Sequence, residues 1–483
     1  MLKQKALAAA LWSGAELFLR RGLTVLVSLV LARLLSPAEF GTFALLSLFT
    51  GVAGAFADSG LSLALIRQPE PSHVQICTVF WFNVAAGALV AAVLAALAPL
   101  IADFYAQPVL RPLTILLAAG VFIQALGTIH TTLLARRLDF KAQLKVGAVA
   151  NLLGGAAALA LALAHHGIWA LAAQSLVTTT ASTLLLWLGS RWRPSVAFSR
   201  SGARSLIGFG GYMLISELLE VAYSRTHSLL IGKLYGTTAL GLYNRAESTK
   251  QLPVGMLIAV FSRVAFPIFS AAAQDPAQLR RGVRFALRGM MLVNVPLLLG
   301  SAAVAEPALS VLFGERWRAA APILQVLCLS GSLWPLHTVN LNVLMAQGHS
   351  GLMLRLEMLK KLIGLPLLGI GTLWGVMGIA WSGLAFGAIA FVINAHYSAR
   401  LLQYGAWQQL RDCLPVYLVS LPMLWLAAWL STTLPGPDWL RLLVSVASGA
   451  LCFVGLAWAS GMTAFADALD LARKVRGEQR KPA

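Results

Sequence analysis

The chain has 483 residues, 58% of them hydrophobic and 11% charged, with a mean hydropathy of +0.77. That leaves too little polar surface to coat a water-soluble globule and implies an integral membrane protein. A net charge of +19 suggests nucleic acid in a soluble protein, but here the basic residues gather on one side of a series of apolar segments, which excludes that reading.

Apolar runs follow one another from end to end, and none has the alternation of a transmembrane β-strand. A backbone in lipid must satisfy its own hydrogen bonds, so helices remain. Spans are expected at 11–35, 39–63, 75–101, 110–134, 142–165, 167–189, 205–232, 240–266, 284–305, 319–346, 352–373, 375–399, 412–432 and 439–462, fourteen in all. With a cytoplasmic N-terminus, the inner ends collect Arg136, Arg137, Lys141, Arg191, Arg193, Arg280, Arg281, Arg284, Arg288 and the basic tail ARKVRGEQRKPA. The outer ends hold few by comparison, among them Arg33, Arg111, Lys233 and Arg318. About three quarters of the assigned basic residues lie inside, the bias that sets topology, and an even span count returns the C-terminus to the cytoplasm. The opening MLKQKALAAALW is signal-like, but Glu16, Arg20 and Arg21 follow before a cleavable core, so it reads as the entry to a retained first span. Cys77, Cys328, Cys413 and Cys452 stand singly and read as packing residues.

One corner occurs twice. LARLLSPAEFGTFALL begins at Leu31, and IGKLYGTTALGLYNRA begins at Ile231. At an offset of two hundred positions Arg33 falls on Lys233, Leu34 on Leu234, Gly41 on Gly241 and Phe43 on Tyr243. Gly167-Ile168 and Gly378-Ile379 add a weaker echo. With six spans per unit, the pattern is that of two homologous halves running parallel. The expected division is an N-terminal lobe at 1–198, a C-terminal lobe at 199–405, and two further spans with a cytoplasmic tail at 406–483. The polar, basic stretch SRWRPSVAFSRSGAR joins the lobes as a linker. Two similar bundles can rock about a central site, which is alternating access.

These residues, with FADSGLSLALIRQ, SLLIGKLYGTTALGLYNRAESTKQLP and VLFGERWRAAAPILQVLCL, resemble the polysaccharide transporter family, the Wzx-like oligosaccharide flippases of the multidrug/oligosaccharidyl-lipid/polysaccharide flippase superfamily. The similarity runs from the first span to about the twelfth. It implies an all-α, two-lobed, V-shaped transporter in the bacterial inner membrane. The implied activity moves an undecaprenyl-pyrophosphate-linked repeat unit from the cytoplasmic to the periplasmic leaflet. A polymerase and glycosyltransferases of the same pathway are partners implied by the resemblance. Relatives often carry an acidic residue where this chain has His227.

Such a cargo asks for cations to meet phosphate and for amides, hydroxyls or aromatics to meet sugar, and arginine suits phosphate because its planar fork donates in pairs. Ser13, Glu16, Arg20 and Thr24 share one stripe of the first span with Arg21 beside it. Arg20 and Arg21 are cavity candidates, since intramembrane arginines rarely face lipid; alternatively Glu16 neutralises Arg20 at i,i+4. Glu217, Glu220, Ser224 and His227 share a stripe of the seventh span with Arg225 alongside. They form either a polar cavity wall able to take up a proton or a network that locks helices together. Lys250 has Glu247 within one turn and so reads first as a self-satisfied pair, while Arg263 either meets pyrophosphate or snorkels to headgroups. Asn340, with His337, Asn342, Asn83, Asn151, Gln124 and Gln174, either binds sugar hydroxyls or bonds helix to helix. Trp317 is expected at the periplasmic interface as an indole anchor.

Cation-coupled efflux of small organic compounds is the nearer alternative and calls for a carboxylate-rich cavity. A membrane glycosyltransferase or polymerase is the more distant one. It calls for a large extramembrane loop, whereas no loop here exceeds about twenty residues. No glycine-rich nucleotide loop or metal-ligand cluster stands out, so no cofactor or catalytic residue is expected, and an ion gradient of H+ or Na+ is the expected drive.

Overall fold

The computed structural model describes residues 22–58, 61–68, 71–197, 199–272, 275–348 and 350–468. Within these residues the secondary structure is helical throughout. Ten helical stretches are long and apolar enough to cross a membrane, and large apolar side chains such as Leu188, Leu362, Leu451 and Trp458 stand exposed on the outside of the protein. An apolar exterior is what a lipid solvent selects.

In chain order the helices are α1 (Gly22–Leu34), α2 (Pro37–Asp58), α3 (Leu61–Arg67), α4 (His73–Tyr105), α5 (Leu110–Arg136), α6 (Phe140–Leu163), α7 (Trp169–Gly189) and α8 (Arg200–Ala271). They continue with α9 (Pro276–Ala303), α10 (Ala305–Phe313), α11 (Ala321–Ser332), α12 (Trp334–Ala346), α13 (Ser350–Gly371), α14 (Gly375–Leu402), α15 (Ala406–Thr433) and α16 (Asp438–Ala459). The tenth expected span is divided into α11 and α12, because Pro335 in the first turn of α12 has no N–H to continue the ladder. The seventh and eighth run together as α8, 72 residues long, broken only where Gly236 takes φ 83° and ψ 178°. That is a backbone conformation open to glycine, and it lies two hundred residues after Ser36, the corner between α1 and α2. Ser36 caps α2: its backbone N–H donates to Glu39 Oε2 at 2.6 Å, and Glu39 N–H donates back to Ser36 Oγ at 3.3 Å.

The chain falls into two compact units, residues 1–241 and 242–483. In the first, small residues let helices meet closely. Thr183 Oγ1 donates to Ile123 O at 3.1 Å where α7 crosses α5 at Gly127, Gly154 of α6 faces Thr178 of α7, and Gly155 faces Val27 of α1. The repeated corners also meet inside this unit. A Cβ at Gly41 would overlap the carbonyl of Thr237 and lie 2.9 Å from the Gly241 nitrogen. A Cβ at Gly241 would overlap the carbonyl of Pro37 and lie 3.1 Å from the Gly41 nitrogen. Pro37 and Thr237 are themselves two hundred positions apart, so each corner rests on the same point of its copy.

In the second unit α9 is the hub, with α11, α12, α14 and α15 packed around it. Met291, Val295, Val339, Phe391 and Val416 belong to its buried core. Beside that core Asp412, only 6% exposed, accepts from Arg284 and Arg288 at 2.6 Å each and from Tyr404 Oη at 2.8 Å. Trp317 is not the exposed indole anchor expected of it. It is 0% exposed, and the Arg245 guanidinium lies over both its ring, at 4.8 Å, and that of Phe313, at 4.5 Å. A cation against the ring face gives the indole a buried partner in place of the headgroups. Arg318 ties the same turn to its surroundings, reaching Glu306 and Glu315 at 3.2 Å and Asp438 at 2.7 Å.

Because the corner contact is main chain on main chain, nothing flexible can move aside for an added methyl. Gly41→Ala and Gly241→Ala are each expected to cost about 1–3 kcal/mol, read as a drop in the melting temperature of the detergent-solubilised protein. Gly22→Ala, whose Cβ meets nothing within 4 Å, is the control and should leave the melting curve in place. Equal behaviour of all three would refute a close corner contact.

Candidate functional site

Near the middle of α2, α5 and α7 the first unit has a partly open cavity of about 180 Å³. Phe43, Leu46, Leu117, Val121 and Leu176 supply its apolar lining. The polar lining comes from three helices: Ser47 and Thr50 of α2, Gln124 of α5, and Ser175 and Thr179 of α7. Helix periodicity explains the grouping, since Ser47 and Thr50 are i,i+3, and Ser175 and Thr179 are i,i+4, so each pair shares one face. At Gly120 an added Cβ would stand 3.7 Å from Leu176, so α5 and α7 run close beside the cavity.

The five polar groups divide into two kinds. Ser47 Oγ donates to Ala44 O at 2.6 Å and Thr50 Oγ1 to Leu46 O at 3.0 Å, so both satisfy their protons within α2 and turn lone pairs outward. The side chains of Gln124, Ser175 and Thr179 make no hydrogen bond among the described residues. The cavity therefore offers both donors and acceptors, with apolar walls and no charge on its lining. That chemistry fits a neutral, hydroxyl-bearing ligand: hydroxyls replace water's hydrogen bonds where the bilayer supplies none.

Of the residues expected from sequence, Arg20 and Arg21 lie outside the described residues, as do Glu16 and the side chain of Arg263. Glu217, Glu220 and Arg225 are exposed on the limb of α8 before Gly236, and His227 is half-buried there. This limb packs on α2, where a Cβ at Gly51 would stand 3.2 Å from Val221. Glu217 and Arg225 sit one turn on either side of Val221, which brings that part of the stripe alongside the helix carrying Ser47 and Thr50. Lys250 is paired: Glu247 lies 2.8 Å from its Nζ, and Gln251 Nε2 donates to the same carboxylate at 3.1 Å.

Asn340 is wholly buried between helices of the second unit. Its Nδ2 donates to Leu336 O at 2.6 Å and to Gln409 Oε1 at 2.9 Å, while its Oδ1 accepts from Ser398 Oγ at 2.5 Å and Gln409 Nε2 at 2.9 Å. Every position of that amide is occupied, so Asn340 is a helix-to-helix bond and has nothing left for a ligand. Asn342 likewise donates to Thr338 O at 2.8 Å. Asn151 accepts from Thr24 Oγ1 at 3.4 Å and so links α6 to α1. Sequence reasoning named Gln124 but not the four hydroxyls. Each of them alone looks like a serine or threonine bonding back to its own helix, and only the packing of three helices brings them together.

Residues 30–322 match a family described as polysaccharide biosynthesis protein. The teichuronic acid biosynthesis protein TuaB of Bacillus subtilis is 29% identical over 406 residues, covering 83% of this chain and 84% of that protein. The lipopolysaccharide biosynthesis protein WzxC of Escherichia coli is 27% identical over 444 residues, covering 90% and 89%. Among solved structures, the lipid II flippase MurJ in an inward closed conformation aligns with a TM-score of 0.75 at 13% identity, covering 92% of this chain and 97% of that one. An inward-facing multidrug resistance transporter of the MATE family aligns with a TM-score of 0.62 at 15% identity, covering 80% and 96%. Likeness at these identities is a likeness of fold.

Removing the Asn340 amide orphans Gln409 and Ser398 in a dry interior, a loss of about 2–4 kcal/mol. Asn340→Ala should therefore lower the melting temperature and leave any cargo selectivity unchanged. A variant that melts like the wild type but handles cargo differently would return Asn340 to the cavity.

Proposed function

The chain belongs to the polysaccharide biosynthesis protein family, and from that premise we propose that it flips a lipid-linked oligosaccharide across the bacterial inner membrane. The substrate is an undecaprenyl-pyrophosphate-linked repeat unit, carried from the cytoplasmic to the periplasmic leaflet for exopolysaccharide, capsule or O-antigen synthesis. Fourteen spans arranged as two six-helix repeats plus two further helices, with both termini in the cytoplasm, form the transport path. The observation that carries the reading is the uncharged cavity of α2, α5 and α7, where Ser47, Thr50, Gln124, Ser175 and Thr179 offer hydrogen bonds in an apolar wall.

The physical task is to move hydroxyls and phosphates past hydrocarbon while the polyprenyl tail stays in lipid. Serine, threonine and glutamine exchange hydrogen bonds with sugar at little net cost, because each water lost is replaced by a protein group. Charged phosphate needs cations, and Arg20, Arg21 and Arg225 are the proposed contacts, with Glu217, Glu220 and His227 beside them as groups able to take up a coupling proton. Alternating access between the repeats carries the site from one face to the other, driven by an ion gradient.

Cation-coupled efflux is the second reading, favoured by the fold shared with the MATE transporter. Against it stands the cavity's lining, which contains no carboxylate to hold a cationic drug.

Deletion of the gene in its host, with mass analysis of undecaprenyl-linked intermediates, separates the two. Build-up of lipid-linked repeat units should be cleared by the wild type. It should persist at about tenfold or more with Ser175→Ala/Thr179→Ala, two hydrogen bonds at about 0.5–1.5 kcal/mol each, and with Arg20→Ala, Arg21→Ala or Arg225→Ala. An unchanged lipid pool, together with new sensitivity to cationic drugs, would sink the flippase reading in favour of efflux.

A further inference from the structure

At the end of the first unit where Arg136, Arg137, Lys141, Arg191 and Arg193 gather, a second cavity of about 350 Å³ opens between α5, α6 and α7. It is nearly twice the volume of the hydroxyl-lined one and of opposite character. Leu134, Val146 and Leu185 belong to its apolar walls, while Arg137, Asp139 and Arg191, all exposed, stand at its edge. Neither arginine makes a side-chain hydrogen bond or ion pair among the described residues. Asp139 caps α6 by accepting from Ala142 N–H at 3.0 Å and forms no ion pair with either arginine among the described residues, so two cations and one carboxylate leave the edge net positive.

The inner wall adds a second, independent observation. His130 lines this cavity at 1% exposure, packed edge-on by Trp187 at 4.9 Å and Trp192 at 5.5 Å, and neither of its ring nitrogens has a hydrogen-bond partner among the described residues. A buried donor and acceptor left unmade are costly in an apolar interior.

Two free guanidinium forks over leucine walls, at the membrane end that the charge bias reads as cytoplasmic, describe a receptor for an anionic amphiphile. The forks match phosphodiester oxygens, and the leucines match the glycerol and first acyl carbons below them. The volume lies at the lower end of small-ligand cavities, the size of a lipid headgroup. We propose that this cavity binds the phosphodiester headgroup of an anionic phospholipid of the inner leaflet, through Arg137 and Arg191 with His130 at its inner wall. The site depends on the chain's spanning a membrane and not on the identity of its cargo.

Native mass spectrometry of the full-length protein in mild detergent, titrated with phosphatidylglycerol and with phosphatidylcholine, tests it. The wild type should retain phosphatidylglycerol over phosphatidylcholine. Arg137→Gln/Arg191→Gln should lower phosphatidylglycerol retention about thirtyfold, given roughly 1 kcal/mol for each of the two basic residues at a lipid surface. His130→Phe, which keeps the ring packing and removes the polar atoms, should lower it as well. Arg280→Gln/Arg281→Gln, a basic pair in the second unit, should leave it unchanged, as should Ser175→Ala/Thr179→Ala even where flipping fails. Equal retention of the two lipids by the wild type, or loss from the Arg280/Arg281 variant as large as from the Arg137/Arg191 variant, would overturn the proposal.

Discussion

Two glycines two hundred residues apart allow the repeated corners to touch main chain to main chain, and much of the first unit follows from that contact. With a side chain at either position, α2 and α8 would be held apart by at least a methyl group. With none, Gly41 seats on Thr237 and Gly241 on Pro37. The limb of α8 before Gly236 is thereby anchored close enough to α2 for Val221 to pack against Gly51. In lipid there is no hydrophobic drive to press helices together, so approach depends on close packing of small residues. The same device recurs at Gly127, Gly154 and Gly155, where α5, α6, α7 and α1 meet.

Polar groups in this apolar chain follow two regimes. Some are fully spent on one another: the reciprocal amide pair of Asn340 and Gln409, and the carboxylate of Asp412 between two arginines and a tyrosine. Burying such a carboxylate is tolerable only because its oxygens are occupied, and breaking a buried pair costs about 3–5 kcal/mol. Others are left unspent where helices part: hydroxyls and an amide in the cavity of α2, α5 and α7, arginines and a histidine in the cavity of α5, α6 and α7. The first unit thus holds a neutral hydrogen-bonding cavity near mid-helix and a cationic one at its basic end.

Much of the fold was legible in the sequence, because a bilayer imposes a length and an apolar composition that few other environments demand. The helices coincide with the expected spans to within a few residues over most of the described chain. Departures have local causes: Pro335 divides α11 from α12, and Gly236 lets α8 turn without a loop. The site was less legible. Lys250 and Glu247 could be paired from their spacing, since one turn of helix suffices. Trp317 could not be placed, because the arginine that covers it lies on another helix, more than sixty residues earlier in the chain.

By itself the sequence determined the solvent, the helical class, the order of the spans, the recurrence of one corner and the family to which the chain belongs. All of these depend on composition, on spacing along a single helix, or on similarity that needs no coordinates. Only the tertiary structure decided which polar groups are spent and which remain available. Asn340 and Ser175 both read as polar residues in apolar runs; helix packing gives Asn340 a full set of partners and leaves the Ser175 hydroxyl facing a cavity. Hydrogen bonding is a matter of distances within about 3 Å, and between helices those distances are set by side-chain volume across the contact, which no single helix encodes.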